Sequence, residues 1–481
     1  MRRRSRKLPI LEGPSIMGLE RIIGNSSAKP GFHDVLFSAL FTLHFVLVLT
    51  LACRWAADPE HPLPSWLTTY AKEQAKENQQ EFGSLALAAL LAASGGLPFL
   101  FVYLKFMEWF AFIMISLIFV GAIVGTAGGS AYCFYHALHV IGSSGDYYSQ
   151  TLVLAFVLLL CSLLSVIYFM CMWRRLETVA HILSAVSGVL SGLPGALSLS
   201  YVTAALSLGW MLLWTMSLVE FNYIAETAGT GEKILLNFWW LVTFFWGAAV
   251  LDGVLQIAIA TIIATWYFDE QYLERGVPCC KPAVWGAFGR AFTMQFGQAC
   301  FGGLVLSVLR AIISMLTKLQ QSIGDGNVVA KVVLCCVTCC VKCVESCLSW
   351  LTAYAYVYVA IYGVSFIKAG SEVLTLLSNK GLDMVATSAF VEPVLFVGAL
   401  LGGAVGILWG EIARQSINAP AWIPYSGGFV GGFISVGVGL SLVSSGTKTL
   451  LVAYAEEPGV MRSKKPELAN KWAEGNRLVK P

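Results

Sequence analysis

The stretch "LCCVTCCVKCVESC" (334–347) holds six of the chain's 13 cysteines. Thiolates at that density raise the chemistry of metal binding and of redox exchange. On a helix, all six fall within about 140° of one face. They also climb along it for several turns, so four of them cannot converge on one tetrahedral zinc. Sulfurs four residues apart on one helix cannot pair without distortion, which excludes disulfides along it. No metal and no cofactor are expected here. Small, polarizable side chains on one face suit a seam where two membrane helices pack closely. Cysteines near a membrane interface also suit palmitoylation. A packing seam is the favoured expectation.

Aromatic rings and isolated acids are the other residues with chemical potential. Trp239 and Trp246 lie seven apart and share a helical face, with Thr243 between them. Tyr354, Tyr358 and Tyr362 form a second stripe, and Tyr356 points the other way. Aromatic faces attract organic cations, although Trp and Tyr also collect at membrane interfaces. Asp252 sits in the middle of an apolar run with Gln256 one turn later on nearly the same face. Glu345 follows Lys342 by three residues, a spacing at which the two can pair. Glu392 precedes Pro393 at the start of another run, where the proline can break the helix start. A carboxylate in a low-dielectric site can balance a cation or exchange it for a proton. The candidate binding set is therefore Trp239, Trp246, Asp252, Gln256, Glu345, Tyr356, Tyr362 and Glu392. There is no Ser/His/Asp set, no HExxH and no nucleotide motif. The glycine-rich 397–410 lacks the Gly-Lys-Ser/Thr end of a phosphate loop. Neither an enzyme nor a nucleic-acid partner is expected.

These residues must be positioned by membrane-spanning helices. Of 481 residues, 57% are hydrophobic and 12% charged, about half the charged share of a soluble domain, and the mean hydropathy is +0.72. Apolar runs near the ~20 residues needed to cross a bilayer recur at 35–54, 84–104, 109–132, 151–173, 195–221, 238–268, 291–316, 328–350, 389–410 and 427–450. They do not alternate apolar with polar residues, which excludes a β-barrel. The fold expected is an all-α polytopic membrane protein with about ten transmembrane helices. Leu176–Leu193 reads as a surface helix, with a separate span as the alternative. Most of the 31 Lys and Arg fall on the side that carries both termini, which places both in the cytosol. The chain then divides into a cytosolic segment 1–34 beginning "MRRRSRK", a transmembrane domain 35–450 with an outside loop at 55–83, and a cytosolic tail 451–481. The lone Asn-x-Ser/Thr sequon, Asn25, falls on the cytosolic side, so no N-glycan is expected.

The cysteine stretch followed by "AYVYVAIYG" (355–363) resembles the signature of the choline transporter-like family, an LCC-x-x-CC-x-x-C-x-E helix followed by AY-x-x-x-AIYG. Cys335, Cys336, Cys339, Cys340, Cys343 and Glu345 match the first part, and Ala355, Tyr356, Ala360, Ile361, Tyr362 and Gly363 the second. "AFGRAFTMQFGQACFGGLVL" (287–306) is similar to the family's FGRA…G…FG segment. Span 238–268 carries its Trp, Gln and terminal aromatic pair as Trp246, Gln256, Trp266 and Tyr267. The resemblance is good over about 236–468 and loose before that. Gln295 stands where a His is common and Tyr354 where an Asn is common. The short outside loop suggests the compact branch of the family found in unicellular eukaryotes and plants.

The resemblance implies transport of choline or a related organic cation such as ethanolamine; a plasma membrane is the expected location, with an intracellular organelle membrane as the alternative, and coupling to protons through an intramembrane acid is left open by the residues. A membrane structural or interaction protein that keeps the fold without transporting choline is the alternative. The partners implied are a small organic cation and the lipid bilayer.

Overall fold

The computed structural model describes residues 32–57, 65–138, 146–226, 229–269, 281–323, 328–416, 422–467 and 469–470. The basic start, Asn25 and the end of the tail lie outside them. The described residues form eleven helices and no strand: α1 (Val35–Ala57), α2 (Ser65–His136), α3 (Asp146–Ser191), α4 (Pro194–Glu226), α5 (Thr230–Phe268), α6 (Pro282–Thr293), α7 (Phe296–Ser322), α8 (Val328–Tyr362), α9 (Phe366–Ser416), α10 (Trp422–Glu456) and α11 (Pro458–Lys464). Among the described residues, nine helical stretches are long and apolar enough to cross a membrane. One of them, Leu87–His136, holds 50 residues, about 75 Å of helix at 1.5 Å per residue and far more than one crossing needs. Its helical geometry is interrupted at Phe110 (φ −123°, ψ 22°), close to the expected boundary between spans 84–104 and 109–132. The protein is an all-α polytopic membrane protein.

The chain forms two compact units. The first comprises residues up to Leu47, Thr230–Leu374 and Ala453–Val460. At its centre is α5, buried all round from Val254 to Ala264 except at Gln256, as expected of a helix that is apolar on every face. Gly303 lets α7 approach it, and Gly302 lets α7 approach α8 and the start of α9. A Cβ at Gly303 would stand 3.2 Å from Val250, and one at Gly302 would run into Tyr356 and Phe366. Small residues thus replace bulk where the helices cross.

The second unit comprises Val48–Gly229, Thr375–Val452 and the residues from Met461. Here α9 and α10 cross on glycine. A Cβ on Gly402, Gly406 or Gly410 would collide with residues 424–436, and Gly428 and Gly432 would collide in return. Near the interruption of α2, Glu108 accepts from Lys105 Nζ at 2.8 Å and Ser191 Oγ at 3.2 Å, and its carbonyl takes the Ser184 hydroxyl. Arg54 meets the buried Glu220 at 3.3 Å.

Four expectations are corrected. Residues 176–193 are not a surface helix: Leu176, Ile182, Leu183, Leu190 and Leu193 are buried, and the segment continues α3 unbroken to Ser191. Their 3.6-residue apolar spacing faces protein, a partner that hydropathy cannot specify. The cysteine face is not a seam within the chain, because Cys335, Cys336, Cys339, Cys340, Cys343 and Cys347 are all exposed. Continuous burial in α8 begins only at Tyr354 and runs to Ile361, two turns beyond the last cysteine. Pro393 breaks nothing, since α9 runs through it from Phe366. Spanning helices tolerate an internal proline where surrounding groups satisfy the carbonyl it frees. The span expected at 291–316 is divided, with 291–293 belonging to α6 and α7 starting at Phe296.

Candidate functional site

The first unit collects the buried aromatic side chains on which a cation could rest. Trp246 of α5 is 2% exposed and packs with Val250 and Cys300. Its Nε1–H donates to the Cys300 carbonyl at 2.9 Å, which fixes the indole plane. The His44 ring stacks on it at 5.2 Å and 26°, and Phe41 meets it edge-on at 5.2 Å and 82°. Phe41 in turn meets Phe296 at 5.6 Å. Phe37, Phe41 and His44 recur at i, i+4 and i+7, so α1 presents them on one face. That spacing was the available signal for them; the sequence reading did not use it.

A second ring group lies against the C-terminal part of α8. Tyr356 is 3% exposed, donates to the Ala299 carbonyl at 3.3 Å and packs on Phe366 at 5.7 Å. Phe301 bridges to it, stacked on Phe37 at 4.1 Å and 5.2 Å from Phe366. Gly253 makes room for the Tyr356 hydroxyl, since a Cβ there would stand 2.9 Å from it. Asp252, the next residue, interacts electrostatically with Tyr356 and accepts from Gln256 Nε2 at 2.8 Å.

The structure therefore brings Trp246, Asp252, Gln256 and Tyr356 into one unit around α5 and α7. Other candidates go elsewhere. Trp239 is 47% exposed: sharing a face with Trp246 does not bury it two turns away, where the neighbouring rings end. Glu345 is held by Arg310 of α7 at 2.9 Å, an inter-helix pair that the Lys342 spacing did not foretell. Tyr362 stacks on Tyr358 at 5.6 Å, and Tyr358 donates to Glu456 at 2.5 Å. Glu392 belongs to the second unit, where it accepts from Ser444 at 2.6 Å and meets Lys448 at 3.5 Å. Gln295, the departure from the family's His, donates to the Val359 carbonyl at 3.0 Å and so ties α7 to the last turns of α8. Tyr354 is fully buried beside Trp350.

Chemically, this is a set of π faces and main-chain carbonyls inside an apolar helix bundle, with the carboxylate–amide pair of the exposed Asp252 and the half-buried Gln256 at the side of α5. Such surfaces bind cations by polarisation and charge. Among the described residues no cluster of three or more His, Cys, Asp or Glu could hold a metal ion.

The fold and its buried aromatic rings define a polytopic helical membrane protein. Residues 156–459 match the family described as plasma-membrane choline transporter, and the chain belongs to that family. It is 25% identical over 452 residues to a CTL-like protein of Dictyostelium discoideum, covering 92% of this chain and 75% of the relative. It is also 25% identical over 469 residues to Protein PNS1 of Mycosarcoma maydis, covering 92% of this chain and 82% of the relative.

Proposed function

We propose that the protein carries choline, or a related organic cation such as ethanolamine, across a plasma membrane, and that the cation rests on Trp246. The observation that supports this most directly is the buried Trp246 indole, fixed by its bond to Cys300 and surrounded by the α1 rings. A trimethylammonium group donates no strong hydrogen bond, so its binding must come from ring faces and a nearby negative charge. In this reading the His44 ring occupies the face of Trp246 that the ammonium takes, at a spacing within the ~6 Å reach of a cation–π contact. Asp252, held by Gln256, supplies the compensating charge and is the candidate proton carrier. Membership of the family and the intramembrane position of Asp252 both favour this reading.

Uptake of labelled choline into liposomes holding the purified protein tests it. Saturable uptake, competed by ethanolamine and reduced by Trp246→Ala, is the expected result. Liposomes that take up no more choline than empty vesicles would leave the structural or interaction role instead. A fluorescent fusion at the cell surface tests the membrane assignment.

A further inference from the structure

Among the described residues of the first unit, four charged side chains stand well inside the spanning helices: Asp252 on α5, Arg310 on α7, and Lys342 and Glu345 on α8. Hydrocarbon tolerates such groups only where they pair, face protein or meet water. Arg310 and Glu345 pair at 2.9 Å, with side chains 36% and 21% exposed. Lys342 is exposed and has no such relief. The acid one turn along α8 is taken by Arg310, and among the described residues no ion pair or hydrogen bond holds the Lys342 ammonium. Lys342 stands about 20 Å of helix from Val329 and about 30 Å from Tyr362, the ends of its apolar stretch, at 1.5 Å per residue. Its stem cannot carry the ammonium to either end.

Cys335 and Cys339 precede Lys342 by seven and three residues and so share its face, and both thiols are exposed. Accessible charge continues onto the neighbouring helices. Tyr356 of α8 interacts electrostatically with both Asp252 and Arg310. Asp252 is itself exposed, although α5 is buried from Val254 to Ala264 except at Gln256. The stretch Ser149–Cys171 of α3 makes the contrast. It is as apolar as a span must be, contains no Asp, Glu, Lys or Arg, and its Cys161 is exposed too. Exposed thiols thus lie on an uncharged face that suits hydrocarbon and on a charged face that does not.

We propose that the Lys342 face of α8 lines a water-filled vestibule that admits small hydrophilic solutes to the middle of the membrane, with Lys342 favouring anions beside Cys335 and Cys339. The cysteines report on the vestibule and are not its ligands. The carboxylates of Asp252 and Glu345 offset the charges of Arg310 and Lys342, so the wall as a whole bars neither sign of solute. None of this rests on choline being the substrate or on Trp246 holding it.

The test treats proteoliposomes holding the full chain with a small, negatively charged, membrane-impermeant methanethiosulfonate, and peptide mass spectrometry reads which cysteines have reacted. Thiols react as thiolates, which form in water and not in hydrocarbon. Cys335 and Cys339 should therefore react about tenfold faster than Cys161, or more. Lys342→Met should slow the anionic reagent at Cys339 about threefold relative to a cationic methanethiosulfonate, through the lost local charge. Rates at Cys335 and Cys339 no higher than at Cys161 overturn the proposal and leave lipid or a second copy of the chain against this face. A reagent-charge preference at Cys339 that is unchanged in folded Lys342→Met overturns it as well. Should that variant fail to fold, the comparison within the unaltered chain decides.

Discussion

Trp246 and Cys300 are joined by a hydrogen bond from the indole N–H to the main-chain carbonyl at 2.9 Å, which locks α5 to α7 and sets the plane on which His44 and Phe41 lie. Trp246→Ala should raise the KM for choline by the loss of a desolvated cation–π contact, about 1–2 kcal/mol or roughly five- to thirtyfold. Trp246→Phe keeps a ring but not the donor, so it should lose less. Uptake kinetics at matched protein density check both, and a KM unchanged in the alanine variant would move the site elsewhere.

The Arg310–Glu345 pair is a charge pair between α7 and α8 with both groups partly buried. Removing one partner leaves the other charge in an apolar bundle, which is worse than removing both. Arg310→Met and Glu345→Leu should each lower Tm, and the double variant should lie above the more damaging single one. The coupling energy from the cycle should fall within about 0.5–3 kcal/mol. Additive effects would mean that the pair contributes nothing.

Gly406 has no room for a methyl group, because its Cβ would meet the Gly428 backbone, whereas a Cβ on Gly209 meets nothing within 4 Å. Gly406→Ala should therefore destabilise by about 1–3 kcal/mol, the usual range for overpacking. Gly209→Ala should be close to neutral. Thermal unfolding in one detergent compares them, and equal Tm values would contradict the close crossing of α9 and α10.

The exposed cysteine face makes a different forecast from a buried seam. Replacing Cys336, Cys340 and Cys343 together with Ala should change Tm little, since surface substitutions usually stay within about 0.5 kcal/mol each. A large loss of monomer stability would return these residues to a packing role.

From the distribution of basic residues we expect both termini in the cytosol. Tags before Met1 and after Pro481 should both be reached by cytosolic reagents, and Glu73→Cys should gain a site for a membrane-impermeant maleimide added outside. Tags found on opposite faces would refute an even number of spans.

The sequence by itself determined the helical membrane fold, because bilayer-length apolar runs allow no other backbone solution once alternation is absent. It also marked Trp246, Asp252, Gln256 and Tyr356, whose residue types are rare or informative in such runs. Helical spacing reports which residues share a face, but not what that face meets. Hence Trp239 and the six cysteines sit at exposed positions, the apolar face of 176–193 (Leu176, Leu183, Leu190) is buried, and Glu345 finds Arg310 rather than a neighbour on its own helix. Only the tertiary structure brought His44, Phe41 and Cys300 to Trp246, and Asp34 and Gln298 to the α8–α9 break. Those contacts join residues tens to hundreds of positions apart. They follow from glycines that let α7 approach its neighbours and from backbone groups that a broken helix must satisfy, conditions that no local pattern encodes.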